Sequence, residues 1–255
     1  MELKAALCQM DITWGDKKSN TARAEKFVLS TDADIVILPE MFSTGFDMDP
    51  ARVAETMEGE TVSRLKAVAL NSGKAIMCSI IIREEGNYFN RLLFIRPGRE
   101  IQHYDKRHLF SFSGEDKNFS RGQERLIIEY KGFRILPLIC YDLRFPVWSR
   151  GSNEFDLIVY IASWPSTRIR VWDTLLKARA IENQCYVIGV NRVGQDPTSL
   201  YDGHSCVINY YGEIIATSNE GKEEILEVAV DLGPLLIFRG KFPAWRDSDR
   251  FGIIP

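Results

Sequence analysis

The sequence predicts an α/β fold with mixed sheets, and three observations carry that expectation. Short apolar runs with strand character alternate with segments of helical period over the first half of the chain. Several of these runs are apolar throughout rather than alternating, as strands covered on both faces are. Two of them, 74–82 and 88–95, follow each other like the arms of a hairpin, which adds antiparallel neighbours to the layered arrangement.

The elements can be taken in order. "LKAALCQM" (3–10) is the first strand and 18–30 the first helix; "DIVILP" (34–39) is the second strand and 60–72 the second helix. "KAIMCSIII" (74–82) and "YFNRLLFI" (88–95) follow as strands, then "LIIEY" (126–130), "RILPLIC" (134–140) and "DLIVYIAS" (156–163). Within 170–184, Val171, Trp172, Leu175, Leu176, Arg179 and Ile181 recur with a helical period. "CYVIGVN" (185–191) and "SCVINY" (205–210) return to strand. No Gly/Ser/Pro-rich linker, charge block or internal repeat divides the chain, so 1–255 is read as one domain. The segment 232–255 has aromatics, glycines and prolines with little periodicity. It is expected to be a C-terminal arm lying on its own domain or on a partner subunit.

Composition bounds the function. With 255 residues, 45% apolar and 26% charged, the chain is long enough to bury its own core without staples. A formal net charge of −3 gives no reason to expect nucleic acid or an anionic membrane as partner. No run approaches the ~20 apolar residues needed to span a bilayer, and the N-terminus lacks the basic and apolar regions of a signal peptide. Five cysteines (Cys8, Cys78, Cys140, Cys185, Cys206) form an odd, scattered set without a CxxC pair. That argues against a disulfide framework and a zinc site, and fits a reducing cytoplasm. Cys8, Cys78 and Cys185 lie within apolar runs, where a thiol behaves as a small hydrophobe.

Three reactive side chains stand at or just after strand ends. Glu40 ends "ADIVILPE", Lys106 follows "EIQHYDK", and Cys140 closes the run that leads into "CYDLRFP". Each has a bland reading: Cys140 as another core cysteine, Glu40 as a solvated turn residue, Lys106 as a surface charge in the polar patch "HYDKRH". Together they meet what amide hydrolysis by a cysteine requires. A base takes the thiol proton and returns it to the leaving nitrogen, and a cation stands where charge develops on the carbonyl oxygen. Glu40 suits the first role, Lys106 the second, and the Tyr141 backbone N–H can serve as a further donor. A Cys–His pairing is the natural rival. Only His103, His108 and His204 exist, however; the first two flank Lys106 in what reads as surface, and the local cysteine-protease signatures are missing. No G-x-S-x-G elbow, nucleotide-binding glycine motif or helical pair of metal ligands occurs.

The segments "LPEMF" at Glu40, "YDKRHLF" at Lys106 and "LICYDLRFP" at Cys140, in that order, resemble the three signatures of the nitrilase (carbon–nitrogen hydrolase) superfamily. "ASWP" (162–165), "LLKARAIENQCYVIGVNRVG" (175–194) and "DGHSCVINYYGEII" (202–215) extend the resemblance over nearly the whole chain. The resemblance implies a four-layer αββα sandwich, assembly into homodimers or larger homo-oligomers, and a Glu–Lys–Cys triad. It further implies a covalent acyl-enzyme and no metal or organic cofactor. Glu115 in "SFSGEDKNF" stands where the family carries a second glutamate. The runs "DKRHLFSFSGEDKNFSRG" and "ASWPSTRIRVWDTLLKARAIENQ" are most similar to the bacterial omega-amidase branch, which acts on the terminal amide of short 2-oxo acids such as 2-oxoglutaramate and 2-oxosuccinamate. Such a small amide substrate carries a carboxylate, which an arginine fork suits; Arg144, Arg168 and Arg170 are the candidates. Phe46, Tyr141 and Trp164 can wall the pocket, whereas Arg179 and Glu182 read as structural or interfacial.

Overall fold

The computed structural model describes residues 1–249 and 251–253; residues 250, 254 and 255, part of the expected arm, lie outside the described residues. The first sheet is built on three parallel strands, β1 (Glu2–Gln9), β2 (Ile35–Ile37) and β3 (Ala75–Glu84). β4 (Asn87–Ile95) turns back from β3 as the expected hairpin, and β5 (Gln102–Asp105) pairs antiparallel beyond it. In the second sheet β6 (Ile128–Tyr130) lies antiparallel outside β7 (Phe133–Ile139), which continues through its parallel neighbours β8 (Leu157–Ala162) and β9 (Tyr186–Asn191). A small ribbon, β10 (Val193–Gln195) with β11 (Leu200–Asp202), precedes β12 (Cys206–Ile208) and β13 (Ile214–Thr217), which extend the second sheet beyond β9. β14 (Glu224–Asp231) then crosses back to pair antiparallel with the whole of β1.

Period-2 side-chain alternation sorts the core into layers. On β1, Leu3, Ala5 and Leu7 face the second sheet and join Ile35, Met77 and Phe94 in one core with Leu136, Leu138 and Val159. Ala6 and Cys8 face the other way, with Val36, Ile76 and Cys78. They meet Ala24 and Val28 of α1 (Lys17–Leu29) and Val62, Leu65 and Ala69 of a later helix, Glu60–Ser72. That helix is α3, after the one-turn α2 (Pro50–Val53); the one-turn α4 (Glu115–Asn118) follows it. On the far face of the second sheet α5 (Ile169–Asn183) lays Trp172, Leu176 and Ala180. It can approach β9 only because residue 189 is glycine: a Cβ there would stand 2.6 Å from Leu176 Cδ1 and 2.7 Å from Trp172 Cζ2. Helices, sheet, sheet, helix: the αββα order is the one the resemblance implies.

Two kinds of element escape the sequence reading. β5, β10, β11, β13 and β14 are short or half-exposed strands in which polar residues break the apolar signal, as on β14, where only Val230 is buried. The segment read as aperiodic opens with a helix, α6 (Leu232–Lys241). Its start is encoded: the Asp231 side chain accepts from Gly233 N at 3.0 Å, and Pro234 lies in the first turn, where its missing N–H costs nothing. Leu232, Leu235 and Arg239, at i, i+3 and i+7, face inward.

Candidate active site

The parallel strands of both sheets run out at one crevice, where open α/β sheets place working groups. Cys140 directly follows β7, Ser163 follows β8, Asn191 ends β9, Glu40 lies three residues past β2, and Lys106 directly follows β5. Two of these turns, those at Glu40 and Cys140, are strained. Cys140 has φ 43° and Met41, after Glu40, φ 46°. For non-glycine residues that left-handed conformation costs on the order of 1–3 kcal/mol, and it persists only where surroundings over-determine it.

At Cys140 those surroundings can be named. The chain leaves β7 into a single 3₁₀ turn, Cys140–Arg144. Inside it the buried Asp142 accepts from Ile139 N at 3.0 Å, from Tyr104 Oη at 2.8 Å and from His108 N at 3.0 Å, with His108 Nδ1 at 2.8 Å. Arg179 of α5 donates to the Leu143 carbonyl at 2.6 Å, and Trp148 Nε1 to Tyr104 Oη at 3.0 Å. Tyr104 and His108 flank Lys106 by two residues on either side. One carboxylate therefore bolts the cysteine turn to the lysine segment. Of the patch "HYDKRH" read as surface, His103 is exposed, but Lys106 is 1% exposed and His108 is half-buried, stacked on Phe145 at 3.9 Å.

Around the lysine the polar groups close into a cluster. Lys106 Nζ donates to Glu40 Oε1 at 2.9 Å and to both oxygens of Glu115, at 3.0 and 2.9 Å, with all three side chains fully buried. Glu40 Oε2 accepts from Ser163 N at 2.8 Å, and Ser163 Oγ donates to the Glu40 carbonyl at 3.2 Å. Glu115 Oε2 accepts from Phe110 N at 2.6 Å. Asn90 Nδ2 reaches Glu40 Oε1 at 2.8 Å and Glu115 Oε1 at 3.3 Å. Burial by itself would lower the Lys106 ammonium, but the Glu115 and Glu40 carboxylates outweigh it and hold it above the ordinary lysine range. Burial raises the Glu115 carboxyl; Lys106 opposes that shift and the charge on Glu40 adds to it. Burial, and then the adjacent Glu40 carboxylate, push the Cys140 thiol well above its usual value against the pull of Lys106. Both burial and Glu40 thus favour the neutral thiol.

Cys140, 9% exposed, opens onto a cavity of about 80 Å³. Lys106, Phe46, Tyr141, Arg144, Trp164 and Arg168 are among its walls. Lys106 Nζ lies 5.2 Å from the Phe46 ring centre, the Arg144 guanidinium 5.5 Å from Trp164 and the Arg168 guanidinium 5.1 Å from Phe110. Trp164 is fixed by Asn191, which accepts from its N–H at 2.7 Å and donates to its carbonyl at 2.9 Å. The eight candidate residues thus converge: Glu40, Glu115, Lys106 and Cys140 in one buried cluster or against it, and Phe46, Tyr141, Arg144 and Trp164 around the mouth. Arg168 joins the wall. Arg170 is exposed and does not line it. The four other cysteines are buried, Cys8, Cys78 and Cys206 in strands and Cys185 just before β9, their thiols pushed up by burial. Among the described residues no cluster of His, Cys, Asp or Glu could hold a metal ion, and no helix is long and apolar enough to cross a membrane.

Sequence reasoning passed over Asn90, Asp142, Ser163 and Asn191. A signal existed for Asn90 and Asn191: each is the one amide in a largely apolar strand run, and buried polar groups need partners.

Comparisons with known proteins agree with this geometry. The family model for carbon–nitrogen hydrolases matches residues 4–235. The chain is 42% identical over 251 residues to "Omega-amidase YafV" of Escherichia coli (strain K12), covering 98% of each chain. It is 34% identical to a "2-oxoglutaramate amidase" of Bacillus subtilis, over 97% of this chain and 98% of that one. Among solved structures it is similar to a CN-hydrolase superfamily protein from Xanthomonas campestris that carries an arsenic adduct in its active site, with a TM-score of 0.95, 40% identity and 99% of both chains covered. It is also similar to Saccharomyces cerevisiae Nit3, of branch 10 of the nitrilase superfamily, with a TM-score of 0.84, 26% identity, and 95% and 94% covered.

Proposed function

Because the chain belongs to the carbon–nitrogen hydrolase family, we propose that it is an omega-amidase that hydrolyses the terminal amide of small 2-oxo acids, 2-oxoglutaramate and 2-oxosuccinamate, to the dicarboxylate and ammonia. The observation that carries the chemistry is the buried Lys106 shared between Glu40 and Glu115 beside the Cys140 thiol. In this reading Cys140 Sγ attacks the amide carbon while its proton passes to Glu40. The negative charge that develops on the carbonyl oxygen faces the Lys106 ammonium and the Tyr141 N–H. Glu40 returns the proton to the leaving nitrogen, the C–N bond breaks, and ammonia departs from a thioester on Cys140. Water then adds to the thioester carbon and gives a proton to Glu40. The C–S bond breaks, and Glu40 reprotonates the sulfur.

The substrate carboxylate is assigned to the arginines of the mouth, with Arg144 first. Among the described residues neither Arg144 nor Arg168 forms an ion pair, although both border the cavity, and a planar fork held over an aromatic ring suits a carboxylate. The reading takes 1–255 as a single catalytic domain, working in the reducing cytoplasm that its five unpaired cysteines favour. It also takes the protein to be a homodimer at least, joined through apolar groups on α5, α6 and β13 and in the turns beside them, where Ile181, Tyr211, Ile214, Leu236, Ile237 and Phe242 are exposed.

The test is ammonia release from 2-oxoglutaramate, 2-oxosuccinamate, glutamine, asparagine and a nitrile. Turnover of the two 2-oxo acid amides well above the rest is expected. Cys140→Ala should retain the fold and lose the activity, and mass spectrometry of quenched wild-type turnover should show an acyl adduct on Cys140. Preference for another amide would move the substrate assignment. An adduct on Cys78 or Cys185, or full activity in the alanine variant, would remove the mechanism.

A further inference from the structure

Asn90 donates to both carboxylates of the cluster, yet the reaction steps never call on it. It lies in mid-β4, fully buried within the largely apolar run "YFNRLLFI". Its Nδ2 donates to Glu40 Oε1 at 2.8 Å and to Glu115 Oε1 at 3.3 Å, and its backbone carbonyl accepts from Lys106 N at 3.0 Å. With carboxylates on that side, the NH₂ end of the amide must face them. Asn90 Oδ1 is then buried without a partner, which costs about 1–3 kcal/mol. A leucine would fill the same space without that cost, so packing does not explain an asparagine here.

The two oxygens of Glu40 are not equivalent. Oε1 is occupied by Lys106 Nζ at 2.9 Å and Asn90 Nδ2 at 2.8 Å, whereas Oε2 accepts only Ser163 N at 2.8 Å. A carboxylate oxygen has two lone pairs, so Oε2 keeps one open. Ser163 directly follows β8, the strand beside β7 that leads into Cys140, so the less occupied oxygen is the one held at the end of the cysteine's neighbouring strand.

We propose that Asn90 is a positioning residue for the hydrolysis: its amide occupies Glu40 Oε1, leaving Oε2 to receive the Cys140 proton. By donating to both glutamates it also lets two buried carboxylates share one ammonium. The titratable groups that face Glu40 are Lys106, Glu115 and Cys140, and the Asn90 amide adds a donor to Glu40 without adding a charge. Removing it takes a hydrogen bond from the ionised form of the base, which disfavours that form.

This role presupposes the reaction proposed above, so one readout is chosen that needs no substrate. The rate of Cys140 alkylation by iodoacetamide, followed by intact mass against pH, is measured beside kcat and KM for 2-oxoglutaramate in wild type, Asn90→Leu and Asn90→Ser. In Asn90→Leu the acid limb should move up by about half a unit or more in both profiles, and kcat should fall roughly 10- to 100-fold with KM held within about threefold. Asn90→Ser, which leaves room for a bridging water, should fall between the two. An unmoved acid limb, or a loss carried wholly by KM, overturns the proposal. If Asn90→Leu does not fold, the acid limb of Asn90→Ser decides in the same way. A wild type that is alkylated at Cys140 but hydrolyses no amide defeats the substrate reading alone, and the alkylation limb still decides on Asn90.

Discussion

Glu115 and Asp116 are neighbours in the chain with opposite environments. Glu115 is fully buried, with four donor contacts from Lys106, Phe110 and Asn90, while Asp116 is exposed. The difference comes from the tight turn at Gly114, φ 81°, which starts α4 and points Glu115 inward. From the sequence alone, "SGEDKN" offers two acids with nothing to choose between them; the resemblance singled out Glu115. We expect Glu115→Gln to fold and to lose hydrolysis by roughly 10²-fold, because the lysine then loses a charged partner that holds it toward the developing oxyanion. Asp116→Asn should change kcat/KM by less than about threefold, as surface substitutions away from a site do. Steady-state kinetics that find both changes equally harmless would make Glu115 a mere scaffold acid. Lys106 makes the same point from the other side. Its neighbours in sequence are polar, so it reads as surface, and only the fold reveals that strands β4 and β5 carry it into the interior.

At the scale of elements, the second sheet is tied to α6 by one acid. Asp156, buried at the start of β8, accepts from Arg134 Nε at 3.0 Å, Arg134 Nη2 at 2.7 Å and Arg239 Nη1 at 2.7 Å. Arg239 also donates to the carbonyls of Gln184 at 2.8 Å and Phe155 at 2.7 Å. Burial alone would raise the Asp156 carboxyl, but the Arg134 hydrogen bonds and the two positive charges hold it below the usual carboxylate range. A carboxyl lowered on folding adds stability above its unfolded value, roughly 3.9, and that stability is lost as pH falls through the folded value. Asp156→Asn should therefore cost about 3–5 kcal/mol near neutrality, the usual penalty for breaking a buried pair from one side. Measured by urea unfolding, the gap to wild type should stay level from neutral pH to about 4 and narrow below it. A gap that is the same at every pH would show that the charge on Asp156 contributes nothing. Neither Arg239 nor Asp156 stood out in the sequence, because 83 residues separate them and each looks like an ordinary surface charge.

Considering the whole molecule, the described surface carries one face that water alone does not suit. Tyr211 is 58% exposed, Ile237 60% and Phe242 62%. Around Tyr211 the aromatics join: Phe238 stacks on Tyr210 at 4.7 Å and meets Tyr211 at 4.7 Å, Phe242 lies 6.4 Å from Phe238, and Ile181 borders Gly212 in the same turn. A patch of this kind on a small-molecule enzyme is best covered by its own copy, since a two-fold axis buries both faces at once. Sedimentation at micromolar concentration should give a dimer for wild type and a monomer for Tyr211→Lys with Ile237→Glu. A wild type that sediments only as monomer would end the idea.

Much was determined by the sequence alone: the α/β class, the mixed sheets, the nine strand runs and three long helices, and the order Glu40, Lys106, Cys140 at strand ends. Those are local properties. A run of buried strand is apolar by itself, and a reactive group after it is adjacent in the chain. Tertiary structure decided what no neighbour in sequence could encode. It buried Lys106 between two acids 66 and 9 residues away, brought the amide of Asn90 onto both, and anchored the Cys140 turn through Asp142 to residues 34 and 38 positions distant. The physical reason is that burying a charge or amide is tolerable only where partners converge on it, and that convergence exists only once two sheets have stacked.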